Sequence, residues 1–149
     1  IMKKHIFINT IAIYFILVVE GIALQSNYFE EGIKLYQKNK IEKSKLLFEK
    51  DIVFNPKNEK SYLYLAKIYK KKNNDQEEEI NLNNVLLLNP KNDEAIYMLT
   101  LLKIKQYDYE GAEELMKKFV LVCKSLCEKK TEIQIKLKKL SPENEKNNN

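Results

Sequence analysis

Apolar residues along this 149-residue chain recur three and four positions apart through most of its length. Leu65, Ile68 and Tyr69 form one such stripe, Leu82, Val85 and Leu86 a second, and Ile96, Leu99 and Leu102 a third. That spacing puts one apolar face on an α-helix. Asn39-Lys40 and Asn73-Asn74 interrupt the pattern as turns. Pro56 and Pro90 mark further boundaries, because proline starts a helical turn but breaks the interior of one. The pattern predicts short helices arranged as antiparallel pairs.

The first residues follow another pattern. Lys3 and Lys4 precede a largely apolar run from Ile6 to Val19, and Glu20-Gly21 ends it before small residues appear near Ala23. This is the layout of an export signal. The run is shorter than the roughly 20 residues that span a bilayer and carries Asn9 and Thr10, so cleavage near Ala23 is expected. As a buried helix it would need protein on every side, and the rest of the chain is too small to provide that. If the run extends uncleaved to Leu24, it is a membrane anchor with Lys3 and Lys4 on the cytoplasmic side. Both readings place the body outside the cytoplasm, in the periplasm or extracellular space. Contact with the membrane is expected only for the uncleaved form.

Asn55-Pro56-Lys57-Asn58 returns further along as Asn89-Pro90-Lys91-Asn92, and each copy is followed by an acidic residue, Glu59 or Asp93. Tyr28 and Tyr62, Leu35 and Tyr69, and Phe48 and Leu82 keep the same offset. This period, roughly 34 residues, resembles that of the tetratricopeptide repeat, a helix-turn-helix unit of such a length. Tyr28, Gly32, Leu35, Ser44, Phe48 and Pro56 match its signature positions in a first unit, 25–58. Tyr62, Leu65, Ala66, Tyr69, Leu82 and Pro90 match in a second, 59–92. Ile96, Leu99, Ala112 and Met116 match in a weaker third, 93–126, where Lys124 stands at the proline position. Glu78 and Lys103 also depart from the pattern, at a small and a large position respectively.

The resemblance implies an all-α fold, a short right-handed solenoid of stacked antiparallel helix pairs. Residues 127–140 are expected to cap its end, with Ile133, Leu137 and Leu140 on one face and Thr131 with Gln134 at capping-box spacing. One long helix running on from Glu110 is the alternative. The tail 141–149 lacks large apolar residues and is expected to be disordered.

Composition narrows the functional classes. All 26 basic residues are Lys, and the net charge is +5. Arginine supplies the planar fork that reads guanine or grips phosphate at two points, so its absence argues against sequence-specific nucleic-acid recognition. His5 is the only histidine and falls within the export segment. The three glycines form no phosphate loop. Glu77, Glu78 and Glu79 are expected to be a solvated helix face.

Cys123 and Cys127 lie four apart on one predicted helix face, where a disulfide between them would be strained. They are expected to pack as small apolar residues, with a disulfide to another chain as the sharper alternative. Two thiols without a third ligand are weak evidence for zinc. No metal or cofactor is expected, and an enzyme using carboxylates or Cys123 is the least favoured class.

The resemblance also implies a function, the holding of a protein or peptide segment. In such proteins the first helix of each unit lines a concave groove. The matching positions here are Phe29, Ile33 and Tyr36 in the first unit. They are Lys60, Leu63, Lys67, Lys70 and Lys71 in the second, and Glu94, Tyr97, Leu101, Ile104 and Lys105 in the third. The implied groove has a basic centre between apolar ends, suited to acidic and aromatic segments. The alternative is that the lysines are ordinary solvated surface and that Phe29, Leu63 and Tyr97 only pack their neighbours. Some family members grip a chaperone's terminal carboxylates with Lys, Asn and Arg at set positions. Here those positions carry Phe29, Ile33, Tyr64, Glu94 and Met98, so that specialised role is not implied.

Overall fold

The computed structural model describes residues 27–140, so the export segment and the tail lie outside the described residues. The described residues form seven α-helices and one 3-10 turn, with no strand among them. The chain divides after Pro56 into two compact units.

The first unit pairs α1 (Tyr28–Gln37) with α2 (Ile41–Phe54). Gly32 lets the two helices approach closely, since a Cβ there would stand 2.7 Å from the ring of Phe48. That ring is fully buried and has nowhere to retreat. Tyr28 stacks on Phe54 with ring centroids 5.6 Å apart, tying the start of α1 to the end of α2.

The second unit pairs α3 (Glu59–Lys71) with α4 (Asp75–Leu88) and α5 (Asp93–Lys105) with α6 (Tyr109–Val122). A 3-10 turn, Cys127–Lys129, leads into α7 (Lys130–Leu140), which packs on α5 and α6. Leu63, Ala66, Leu82, Val85, Ala95, Met98, Leu99 and Leu102 form one buried cluster. Ile96, Ala112, Met116, Phe119, Ile133 and Leu137 form the next. Leu86 packs against both, so the core runs continuously from one pair to the other.

The turns repeat as the helices do. Asn39, Asn73 and Tyr107, each one repeat from the next, all take left-handed backbone conformations, with φ of 55°, 53° and 60°. In each case the next residue's N–H donates to a carbonyl five back, as Asn74 does to Tyr69 and Asp108 to Lys103. Asparagine tolerates this conformation, whereas for most L-residues it costs roughly 1–2 kcal/mol. Tyr107 is 82 % exposed, so little packing offsets the strain. Tyr107→Asn is therefore expected to stabilise the chain by about 1 kcal/mol, read from the urea midpoint. An unchanged or lower midpoint would mean that the Tyr107 ring makes contacts of equal worth.

The second Asn of each tetrapeptide caps a helix. Asn58 Oδ1 accepts from the N–H of Lys60 and Asn92 Oδ1 from that of Ala95, at 3.3 and 2.9 Å. Pro56 and Pro90 sit in the turns ahead of these caps rather than in the first helical turn.

Three local expectations need correction, and one alternative is excluded. Glu78 is buried, not solvated, because it stands where Ser44 and Ala112 pack inward one repeat away. Burial pushes its carboxyl above the ordinary range, with Lys70 and Lys105 opposing. The alternative of one long helix running on from Glu110 is excluded, since α6 stops at Val122 and α7 is separate. Thr131 lies inside the first turn of α7 instead of capping it. The cysteines, finally, are bonded to each other and are not packed as thiols. The objection to that bond presupposed a continuous helix, but Cys123 leaves α6 in extended conformation, with ψ 141°.

Candidate functional site

The first helices of the second unit, α3 and α5, carry most of the groove positions. Asn58 and Asn92 fix where these helices begin and therefore which side chains share a face. On α3, Lys60, Lys70 and Lys71 are exposed and Lys67 is half-buried. Lys67 Nζ lies 2.8 Å from Glu94 Oε1 on α5 and 4.9 Å from the centre of the Tyr64 ring. The cation is thus held between a carboxylate and an aromatic face. Lys105 Nζ reaches Asp75 Oδ1 at 2.6 Å.

The apolar positions behave differently. Leu63 is buried among the residues between α3, α4 and α5, with one edge on a pocket of about 380 Å³ that it shares with Glu94 and Lys91. The ring of Tyr97 packs against Phe119 with centroids 6.2 Å apart, and its hydroxyl donates to Glu132 Oε2 on α7 at 3.0 Å. Burial and that carboxylate push the Tyr97 hydroxyl pKa up to about 12, so the bond persists at any physiological pH. Ile104 packs against the cluster containing Ile133 and Leu137. It also lines an open pocket of about 460 Å³ with Lys105, Tyr107, Lys136 and Lys139. Leu101 is half-buried. The end expected to be apolar is thus partly covered by α7 and rimmed by lysines.

In the first unit, Phe29, Ile33 and Tyr36 lie on α1, each half-buried. The Phe29 ring is tilted against Phe48 at 5.9 Å.

Sequence reasoning missed the fastening of this face at its turns. Glu59 Oε1 accepts from Asn89 Nδ2 at 3.0 Å and Asn92 Nδ2 at 3.5 Å, one repeat away. Asp93 does the same at the next turn: its Oδ2 accepts from the N–H groups of Lys124, Ser125 and Leu126 at 2.8, 2.8 and 3.3 Å. Burial disfavours the Asp93 carboxylate, but these donors and the Ser125 hydroxyl outweigh it and hold the group below its ordinary range. Successive N–H groups converging on one oxygen form an anion-binding nest. The disulfide closes the same turn, because Cys123 and Cys127 stand one repeat after Asn89 and Asp93. The paired acidic residues after each tetrapeptide were the available signal.

The two departures from the repeat pattern are accommodated separately. Lys103 is neutralised by Glu79 at 2.7 Å and Asp108 at 3.4 Å, and Gln106 Nε2 donates to the same Glu79. Hydrogen bonds from Lys103 and Gln106 hold Glu79 below the ordinary carboxylate range. Among the described residues, no three His, Cys, Asp or Glu side chains converge as a metal site would require.

No family model matches the sequence, and no curated protein matches it. Solved structures do. The tetratricopeptide domain of OM64 from Arabidopsis is similar, with a TM-score of 0.69 at 16 % identity over 77 % of this chain and 94 % of that one. The first tetratricopeptide domain of Spaghetti (RPAP3), bound to the HSP90 peptide SRMEEVD, also scores 0.69 at 16 % identity, over 78 % and 92 %. The Sgt2 tetratricopeptide domain from Aspergillus fumigatus scores 0.63 at 17 % identity, over 83 % and 81 %. Identities this low carry the fold and nothing finer. With its helix pairs, its regular repeat register and these neighbours, the chain is a protein of the tetratricopeptide-repeat fold.

Proposed function

We propose that this chain is an exported, non-enzymatic scaffold that holds an extended or helical segment of another protein against the first-helix face. The observation that carries this reading is the row of lysines on α3, Lys60, Lys67, Lys70 and Lys71, beside Tyr64 and the Glu94 pocket. Cations next to an aromatic ring suit a segment with acidic and aromatic side chains. A fold neighbour with a bound peptide lends the reading precedent.

Export is supported by the Lys3-Lys4 and Ile6–Val19 pattern and by the disulfide, a bond that persists in oxidising compartments. The bond also leaves Cys123 without the thiolate that nucleophilic catalysis needs. A membrane-anchored recruitment module is the second reading, favoured by the apolar run if it is uncleaved. The mass of the mature chain distinguishes the two.

The test is fluorescence anisotropy with a synthetic acidic peptide carrying aromatic residues and a basic peptide as control. Lys67→Glu with Lys70→Glu is expected to weaken binding of the acidic peptide by about tenfold or more, with helicity unchanged. Added salt should weaken it too. Equal binding by the double variant, or no preference over the basic peptide, would refute the concave-face reading.

A further inference from the structure

The position after the first turn of each repeat's first helix faces that repeat's own second helix. Gly32 on α1 meets Phe48 on α2, Ala66 on α3 clusters with Leu82 and Val85 on α4, and Thr100 on α5 is fully buried. The next member of this series, one repeat on, is Gln134 on α7, and it is exposed. Four residues earlier, the series Tyr28, Tyr62, Ile96 ends at Lys130, also exposed. Ile96 is fully buried among Ala112, Met116 and Phe119 of α6. Thus α7 has the register of a first helix, but among the described residues it has no second helix beside it.

The place such a helix would take is open. Lys130, Gln134 and Leu137 of α7 line a groove of about 540 Å³ whose other wall is Tyr109, Met116 and Val120 of α6. Val120 is the counterpart of Leu86 in the preceding repeat. Leu86 is half-buried against the Ile96 cluster of the next pair, whereas Val120 is 41 % exposed. The groove thus has the apolar wall that one repeat earlier supports a further second helix.

We propose that this groove binds an amphipathic helix from another protein, which completes the stack as a second helix for α7. The occupant's chemistry follows from the register. Tyr28, the counterpart of Lys130, stacks on Phe54 at the end of α2, so the last turn of an antiparallel occupant comes beside Lys130. That turn carries an acidic or aromatic residue. Lys117 adds a second cation on the rim, shared with Glu113 at 3.5 Å. The middle of the occupant turns bulky apolar residues toward Val120 and Leu137, as Phe48 of α2 is turned toward α1. Residues Ser141–Asn149 include no large apolar side chain and cannot supply that face. The surface is distinct from the lysine row on α3 and does not depend on it.

The chain's own α2 sequence, Ile41–Phe54, is a suitable probe. It is a second helix with Glu49, Asp51 and Phe54 in its last turns. A fluorescein-labelled peptide of that sequence is expected to bind the intact chain with one saturable site, while a scrambled peptide does not. Val120→Asp alters a partly exposed residue and is expected to weaken the peptide by about tenfold or more, and Lys130→Glu by about threefold. Lys67→Glu with Lys70→Glu should leave this binding unchanged even where it abolishes capture at the other face. Absence of saturable binding, or equal binding by Val120→Asp, overturns the proposal. So does sedimentation showing a dimer that Val120→Asp dissociates, because the groove then belongs to a second copy.

Discussion

Replacing Phe119 by Ala is expected to destabilise the second unit by about 3–5 kcal/mol, the largest single-site loss predicted for this chain. The ring is fully buried where α5, α6 and α7 meet. Its neighbours there are Ile96, Ala112, Met116, Ile133 and Leu137, which belong to three helices and cannot close together over the missing volume. It also supports the Tyr97 ring, so the Tyr97–Glu132 bond that holds α7 should weaken with it. Urea denaturation followed by circular dichroism measures the loss, and Phe119→Leu, which keeps most of the volume, should cost much less. A loss under about 1 kcal/mol for Phe119→Ala would mean that the cluster can collapse and that α7 is held by other contacts.

Asp93→Ala is expected to cost about 1 kcal/mol at neutral pH, since it removes the charged acceptor that three N–H donors at a largely exposed turn now share. The pH dependence has a definite sign. The folded carboxyl is held below its unfolded value near 3.8, so its contribution is fully present above that value and is lost as pH falls through the folded one. Parent and variant should therefore differ most at neutral pH and converge in acid. A gap that is independent of pH would instead assign the loss to the start of α5 and not to the carboxylate. Asp93→Asn retains an acceptor oxygen and should fall between the two.

The helices and their pairing were legible because apolar spacing and the repeat register reinforce each other. Asn39 and Asn73 announced two of the three turns that lie inside the helix pairs, since asparagine accepts the left-handed conformation found there. Tyr107 gave no such sign, and only its offset from Asn73 could have exposed it. The cysteine pair was misread for a related reason. Lys124 in place of proline removed the usual mark of a helix end, so α6 read as continuing through both cysteines, whereas the helix ends at Val122.

The groove was legible as a set of positions but not as a surface. Register alone assigns Lys60, Lys67 and Lys70 to the first-helix face. It does not disclose that Glu94 answers Lys67 and Asp75 answers Lys105, or that α7 reaches over Tyr97 and Ile104. Those contacts join residues about a full repeat apart in the chain, which no local pattern records.

The carboxylates of Glu59 and Asp93 act as rulers for the spacing between repeats. Each grips a turn 30 to 33 residues downstream, so inserting or deleting one residue in the intervening hairpin would carry that turn off its acceptor. Length variation between α3 and the Asn89 turn, or between α5 and the Ser125 turn, is thereby penalised even in solvent-exposed bends. An array built this way can lengthen by whole repeats far more readily than by fractions of one.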